Sequence, residues 1–246
     1  MFIGLGTLIN VATVLAGSAI GLLLGNRFPE RTQRAVNDAL GLVTLLLGAL
    51  SAADVLSPDL SAAVGSSAPV LIVLGGLLIG AVIGSLLDLE ARLDGLARWI
   101  RRVVVRGEGD EGRFVTGFVS AALLFCVGPL TVLGSLMEGL GRGPDQLLVK
   151  SVLDGFSSIA FAATLGPGVM ASALVVAIVQ GGLTGIGWVI GDVLPEPHLA
   201  ALSAVGGLIL VGLALRILGV RTVPVVNLLP GLIVAPLLVE VVSRAG

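Results

Sequence analysis

The sequence predicts an all-α integral membrane protein with about seven or eight membrane helical segments. Hydrophobic residues make up 56% of the 246 residues and charged residues only 12%, whereas a soluble domain has about 25% charged residues. The mean hydropathy is +1.09, and apolar runs of about 20 residues, the length that crosses a bilayer, recur along the chain. This composition excludes a soluble enzyme and a disordered chain. A net charge of −2 without a dominant basic tract argues against nucleic-acid binding.

Eight apolar segments are candidates for membrane helices. The first begins directly after Met1 without a basic leader, so we interpret it as a membrane helix and not as a removable signal peptide. Between the third and fourth segments, arginines interleave with Trp99 and aliphatic residues, which predicts an amphipathic helix at the membrane surface. The eight segments are residues 2–25, 35–53, 69–87, 114–136, 146–165, 169–190, 198–218 and 225–242.

The distribution of arginine predicts the orientation of these segments. Arg27, Arg31 and Arg34 follow the first segment, and further arginines follow the third, so both regions are expected on the cytoplasmic side. The loop around residues 57–68 contains no Lys or Arg and is expected outside. The N-terminus is therefore predicted to face the outside.

A motif of the form Gly-x-x-x-Gly-x-x-x-Pro-Glu occurs twice, at residues 21–30 and 187–196. The first copy is flanked by arginines and the second by acidic residues only, which is typical of an inverted repeat. After a shorter loop, Pro69-Val70 of the third segment aligns with Pro224-Val225 of the last. The predicted organisation is two inverted three-helix repeats, residues 1–88 and 168–246, with an amphipathic cytoplasmic helix at 89–113 and a central broken polar hairpin at 114–167.

Glycines recur at four-residue intervals in two of the segments, so each set lies on one helix face. Such small faces let membrane helices approach until their backbones touch. We expect packing within the chain, and a homodimer contact through the same faces is the alternative. The two sets are Gly17, Gly21 and Gly25, and Gly76, Gly80 and Gly84.

Polar residues at membrane depth are costly and indicate candidate functional sites. Lys150 and Asp154 are four residues apart, so on a helix they share a face and can pair. In the functional interpretation they line a solute or ion path, where Asp154 binds a cation or proton and Lys150 tunes its charge. In the structural interpretation Lys150 extends to the membrane interface and Asp154 only neutralises it.

Helix breaks and isolated amides extend this candidate path. Pro129 interrupts an apolar run after Cys126, and such a break is tolerated at membrane depth only when it is buried in protein or lines a cavity. Gly166-Pro167-Gly168 is expected to separate two half-helices whose ends expose partial charges. Hydrogen bonds between helices are the alternative role for the amides. The predicted path residues are Asn10, Cys126, Lys150, Ser151, Asp154, Ser158, Gln180 and Asn227.

Catalytic and metal-binding signatures are missing from the sequence. It contains no Gly-x-Ser-x-Gly, His-Glu-x-x-His or P-loop motif. Cys126 and His198 are its only cysteine and histidine, which makes a zinc site unexpected. We therefore expect no enzyme activity, no cofactor and no metal, and as partners the lipid bilayer and a small solute or ion.

Several short motifs resemble one known family. They are Gly6-Thr7-Leu8-Ile9-Asn10, Phe125-Cys126-Val127-Gly128, Lys150-Ser151-x-Leu153-Asp154-Gly155, Gln180-Gly181 and Asn227-Leu228-Leu229-Pro230. In this order they resemble the bacterial inner-membrane family called domain of unknown function 554, the YqgA/YdfK-like proteins. The resemblance covers nearly the whole chain. It implies a multi-pass protein of the bacterial cytoplasmic membrane and no settled activity.

Two functions fit these features. The first is a small secondary transporter or channel for a small solute or ion, with a polar path near the central hairpin. The alternative is a membrane scaffold or regulatory subunit without transport. A continuous polar path would favour transport, whereas a fully packed interior with a broad apolar outer face would favour a scaffold.

Overall fold

A computed structural model describes residues 2–25, 29–104, 111–127, 129–190 and 195–245. Over these ranges the regular structure is helical, with no β-strand. Residues 26–28, 105–110, 128 and 191–194, which the predicted segments and motifs include, lie outside the described residues.

The helices of the described ranges are numbered in chain order. Short 3₁₀ turns at Ala53–Leu56 and Val225–Leu228 precede α3 and α12. The helices are α1 (Leu5–Gly25), α2 (Glu30–Ala52), α3 (Pro58–Val64), α4 (Ala68–Leu86), α5 (Leu89–Val104), α6 (Glu111–Cys126), α7 (Pro129–Gly139), α8 (Asp145–Leu165), α9 (Gly168–Ala171), α10 (Ala173–Ile190), α11 (Glu196–Ile217) and α12 (Gly231–Ala245).

Seven helical stretches of the described chain are long and apolar enough to cross a membrane. An eighth candidate is the pair formed by α6 and α7, which is bent by 59°. The predicted all-α membrane fold with seven or eight segments is therefore confirmed. The seven stretches are Leu5–Gly25, Arg34–Leu56, Ala68–Leu86, Asp145–Leu165, Gly168–Val189, Glu196–Ile217 and Val225–Arg244.

The predicted pair of half-helices around Gly166 is wrong. The stretches on either side, Asp145–Leu165 and Gly168–Val189, are 21 and 22 residues long, so each reaches across a bilayer alone. Gly166 has a φ of +84°, a left-handed conformation that ends α8 and that glycine adopts without strain. The break is therefore a turn between two spans. Arg113 Nε donates to the carbonyl oxygen of Thr164 at 3.0 Å, which satisfies one carbonyl at this helix end.

The described helices group into two compact units. Unit 1 comprises Met1–Leu42, Leu93–Cys126 and Leu130–Val193, and unit 2 comprises Val43–Arg92, Val127–Pro129 and Leu194–Gly246. The long helix α2 begins in unit 1 and ends in unit 2.

In unit 1, α1 and α8 run parallel with their backbones in close contact. A methyl group added at Gly17 would meet the carbonyl oxygen of Gly155, and one added at Gly25 would meet that of Ala163. Because both contact positions advance by eight residues, the two helices point in the same direction. Backbones can approach this closely only because no side chain stands between them.

The bent pair of α6 and α7 runs along α8 in the opposite direction. At its start, a methyl group on Gly117 would lie 2.9 Å from the carbonyl oxygen of Leu165, at the end of α8. Near its end, one on Gly134 would lie 2.9 Å from a methyl carbon of Leu147, at the start of α8. The pair thus extends over the length of a 21-residue helix, as a broken span does and a re-entrant loop does not.

In unit 2, α4 and α12 pack antiparallel through their small residues. A methyl group added at Gly76 would lie 2.9 Å from Ala235 Cβ, whereas one at Gly80 would meet the backbone nitrogen of Gly231. The second glycine set is thus buried inside the chain, as the first is against α8. These glycines have no free surface for a second copy, so a homodimer would need another face.

The glycine contacts predict opposite effects for two alanine substitutions in unit 1. In Gly21→Ala the new methyl group would meet the carbonyl oxygen of Ile159, and we expect a loss of about 1–3 kcal/mol from overpacking. In Gly182→Ala the methyl group meets no atom within 4 Å, so stability should stay the same or rise by up to about 1 kcal/mol. Thermal unfolding of both purified variants in detergent compares their stability. Equal stability of both variants would contradict the α1–α8 contact.

Candidate functional site

A buried ion pair lies at the centre of unit 1. Lys150 Nζ lies 2.5 Å from Asp154 Oδ2, and the amide nitrogen Nδ2 of Asn10 donates to the same oxygen at 2.9 Å. Lys150 is 5% exposed and Asp154 6% exposed, so both groups face protein. The predicted pairing of these residues is thus present, and α1 contributes a third polar group to it.

The sequence of α8 dictates which face turns inward. Phe156 is 71% exposed and Val152 is 57% exposed. Each lies two residues from Asp154, which puts it on the opposite side of the helix from the ion pair. The helix therefore presents an apolar face outward and its charged stripe to α1. Ser151 and Ser158 lie on this inner side, but their hydroxyls donate to the carbonyls of Leu147 and Gly155 on the same helix.

A second buried carboxylate, that of Glu138, lies beside the start of α1. Glu138 of α7 is 3% exposed, and its Oε1 accepts a 2.5 Å hydrogen bond from the backbone nitrogen of Gly6. Its Oε2 accepts from the Thr7 backbone nitrogen at 3.4 Å and from Thr7 Oγ1 at 3.1 Å. Thr184 Oγ1 of α10 lies 3.5 Å from the same Oε2. No basic side chain of the described residues forms an ion pair with this carboxylate.

Several buried polar atoms near these groups have no hydrogen-bond partner among the described residues. They are Oδ1 of Asn10, Oγ of Ser135 and both amide atoms of Gln180. Asn10 follows Thr7 by one turn, and Gln180 precedes Thr184 by one turn, so both amides extend the polar faces of α1 and α10. Buried polar groups are normally paired, and unpaired ones indicate a ligand or water site.

Large apolar side chains fill the other half of unit 1. Val14 and Val176 come one turn beyond Asn10 and Gln180, and both are fully buried. Beyond Asp154 and Ser158 along α8, the next large buried side chain is Phe161. Phe118, which follows Gly117 at the contact with the end of α8, is also fully buried in this half. The buried ionisable groups and amides of the described part of unit 1 therefore lie in the half that contains the start of α1, whereas the buried polar side chains of the other half are hydroxyls such as Ser18 and Ser172.

Cys126 lies at the bend between α6 and α7, at the end of α6. It is partly exposed and within electrostatic range of Lys150 and Asp154. At this bend Pro129 cannot donate a helical hydrogen bond to the carbonyl of Phe125. Thr131 Oγ1 donates to that carbonyl instead, at 2.9 Å. The carbonyl that the break frees is thus satisfied locally by a side chain.

Asn227 does not join the other predicted path residues, because its contacts lie in unit 2. Its Oδ1 accepts a 2.9 Å hydrogen bond from the backbone nitrogen of Glu90, at the start of α5. Glu90 in turn accepts from the Val226 nitrogen at 3.1 Å and pairs with Arg216 at 2.5 Å. These bonds cap two helical elements, which is a structural role.

The predicted path residues do not include three polar residues that meet near the start of α1. Glu138, Thr7 and Thr184 come from α7, α1 and α10, which are far apart along the chain. A carboxylate so close to a predicted membrane segment was an available signal for Glu138. Thr7 is a polar residue within the first apolar segment and was a candidate for that reason, whereas Thr184 carried no signal, since a lone threonine is common in membrane helices.

The ion pair predicts a recognisable pattern of stability. Lys150→Ala or Asp154→Asn alone leaves the other group without its partner, and we expect each to destabilise the protein by about 3–5 kcal/mol. The double variant leaves neither charge and should recover most of that loss. Unfolding of the three variants in detergent, beside the wild type, measures this. Additive losses in the double variant would contradict the pairing.

Comparisons with known proteins agree with this architecture. The profile of a family described as "Protein of unknown function (DUF554)" matches residues 5–240. The chain is 30% identical over 241 residues to "Uncharacterized membrane protein YdfK" of Bacillus subtilis, with 98% of both chains covered. It is 33% identical over 241 residues to "Uncharacterized protein YqgA" of Escherichia coli, with 94% of both covered. No solved structure is significantly similar to it. The resemblance stated from the motifs is confirmed, and the chain belongs to the DUF554 family of membrane proteins.

Proposed function

We propose that this chain is a small secondary transporter or channel whose substrate, a small solute or ion, binds the polar half of unit 1. The observation that carries the proposal is the buried cluster of Asn10, Lys150 and Asp154 in unit 1, in the same unit as the buried amide of Gln180, which has no hydrogen-bond partner among the described residues. A helix bundle that only had to be stable would gain from apolar side chains at these positions. Unpaired buried amides are useful where a ligand completes their hydrogen bonds.

The charges of this cluster favour a cation or a molecule with a positive group. Asp154 and Glu138 supply two carboxylates, and Lys150 supplies one ammonium group. In their ordinary charge states the three leave one negative charge in the core. Asp154 would bind the cationic group or a proton, with Lys150 tuning its charge.

The predicted inverted repeat supports transport further. Its shift of 166 residues, from Gly21 to Gly187, equates Asn10 with Val176 and Gln180 with Val14. A two-fold axis in the membrane plane would therefore exchange the positions of the two amides, Asn10 and Gln180, with those of the two valines, Val176 and Val14. A core that is polar on one side of such an axis and apolar on the other suits a transporter open to one side.

The proposed setting is the bacterial cytoplasmic membrane, with the start of α1 outside. The arginines of α5 and Arg31 then face the cytoplasm. This orientation directs the polar half of unit 1 to the outside and its phenylalanines to the inside. A non-transporting scaffold remains the competing proposal, and it requires only the broad apolar faces of helices such as α2 and α4.

Flux into liposomes separates the two proposals. Protein reconstituted in liposomes is offered a panel of urea, glycerol, glycine, NaCl and KCl, and entry is followed by light scattering. We expect at least one solute to enter faster than in protein-free liposomes. The double variant Lys150→Ala/Asp154→Asn should fold but lose this flux at least tenfold.

Asn227→Ala serves as the control, because it removes a cap in unit 2 and should leave flux per folded molecule unchanged. Near-normal flux in Asp154→Asn would contradict the assignment of Asp154 as a ligand. Entry at the protein-free rate for every solute of the panel would favour the scaffold.

A further inference from the structure

We propose that Glu138, Thr7 and Thr184 form a binding site for one sodium ion. The oxygens Glu138 Oε2, Thr7 Oγ1 and Thr184 Oγ1 come from three different helices of unit 1 and lie 3.1, 3.4 and 3.5 Å from one another. The binding site stands on this geometry alone, and only its role as the coupling ion of transport rests on the function proposed above.

The spacing of the three oxygens suits a cation better than hydrogen bonds alone. Hydroxyl hydrogen bonds to oxygen are usually about 2.7–2.8 Å long, and all three distances are longer. Oxygens that bind a cation of the size of Ca²⁺ lie about 2.4 Å from it, so neighbouring ligands at right angles are about 3.4 Å apart. Na⁺ has nearly the same radius as Ca²⁺. The triangle therefore has the dimensions of one face of a sodium coordination shell.

Counting protons leads to the same conclusion. Two threonine hydroxyls supply two protons, whereas the triangle has three oxygen–oxygen edges. With Glu138 ionised, at least one pair of oxygens faces each other without a proton between them. A cation over the face of the triangle removes this repulsion and uses all three oxygens as ligands.

The charge balance favours a monovalent ion. Glu138 is 3% exposed, and the two backbone N–H groups at the start of α1 offset its charge only in part, since a helix end carries about half an elementary charge. The nearby carboxylate Asp154 already has Lys150 as its partner. One sodium ion neutralises Glu138, whereas a divalent ion would leave an excess positive charge in a buried site.

Two amide oxygens on neighbouring turns of α1 and α10 are candidates for further ligands. Asn10 and Gln180 are fully buried, and each is one helical turn from a threonine of the site. Their oxygens, Oδ1 and Oε1, have no hydrogen-bond partner among the described residues. Amide oxygens are ligands that hard cations prefer.

Sodium binding can be measured without any transport assay. Purified protein is unfolded by heat in NaCl, KCl and choline chloride at equal ionic strength, and binding of radioactive ²²Na⁺ is measured by scintillation proximity. We expect NaCl alone to raise the midpoint temperature, because a ligand that binds only the folded state stabilises it. Thr184→Val and Glu138→Gln should each weaken ²²Na⁺ binding at least tenfold.

Thr13→Val is the matched control, since it removes a hydroxyl from the same helix as Thr7. That hydroxyl donates to the carbonyl of Asn10, so sodium binding should be unchanged. Equal midpoints of the wild type in NaCl and choline chloride would overturn the site, as would full sodium binding in Thr184→Val. Stabilisation that follows pH and not sodium would also overturn it. Sodium binding without solute flux would keep the site and contradict the transporter.

Discussion

The close parallel contact between α1 and α8 is the interaction on which the polar core depends. Glycines at positions 17, 21 and 25 let the backbone of α1 lie against α8. This register brings Asn10 to the oxygen of Asp154 that also binds Lys150. A bulkier face on α1 would separate the helices and leave the pair without its third partner. The arrangement of the charges thus follows from residues that carry no polar group.

Buried charge in turn constrains what this interior can be. An ionised side chain buried inside a membrane protein is costly unless it is paired, and the described part of unit 1 buries Glu138, Lys150 and Asp154. Pairing offsets the cost for Lys150 and Asp154, whereas among the described residues Glu138 has backbone N–H groups and hydroxyls as its partners. Stability alone explains such an interior poorly, and the proposed binding of a small polar or charged species would account for it.

Much of this architecture follows from the sequence because its signals are local. Apolar length gives the spans, and the four-residue spacing places Lys150 beside Asp154. Other features depend on distant parts of the chain: Glu138 meets the start of α1 across more than a hundred residues. Asn227 was predicted to line the path but caps a helix, because an amide in an apolar segment does not indicate which of these two roles it has. The turn at Gly166 was predicted as a break within one span, because glycine and proline occur both where a helix ends and where a helix is broken.

Cysteine accessibility tests whether the half of unit 1 that contains the start of α1 opens to water while the other half stays closed, as a transporter open to the outside requires. Ser135→Cys and Ala121→Cys place a thiol at two fully buried positions of unit 1, both in a Cys126→Ser background. A charged, membrane-impermeant thiol reagent is added to permeabilised vesicles, so that it reaches both faces. We expect modification at position 135 and none at position 121. Inert thiols at both positions, or equal modification of both, would contradict it.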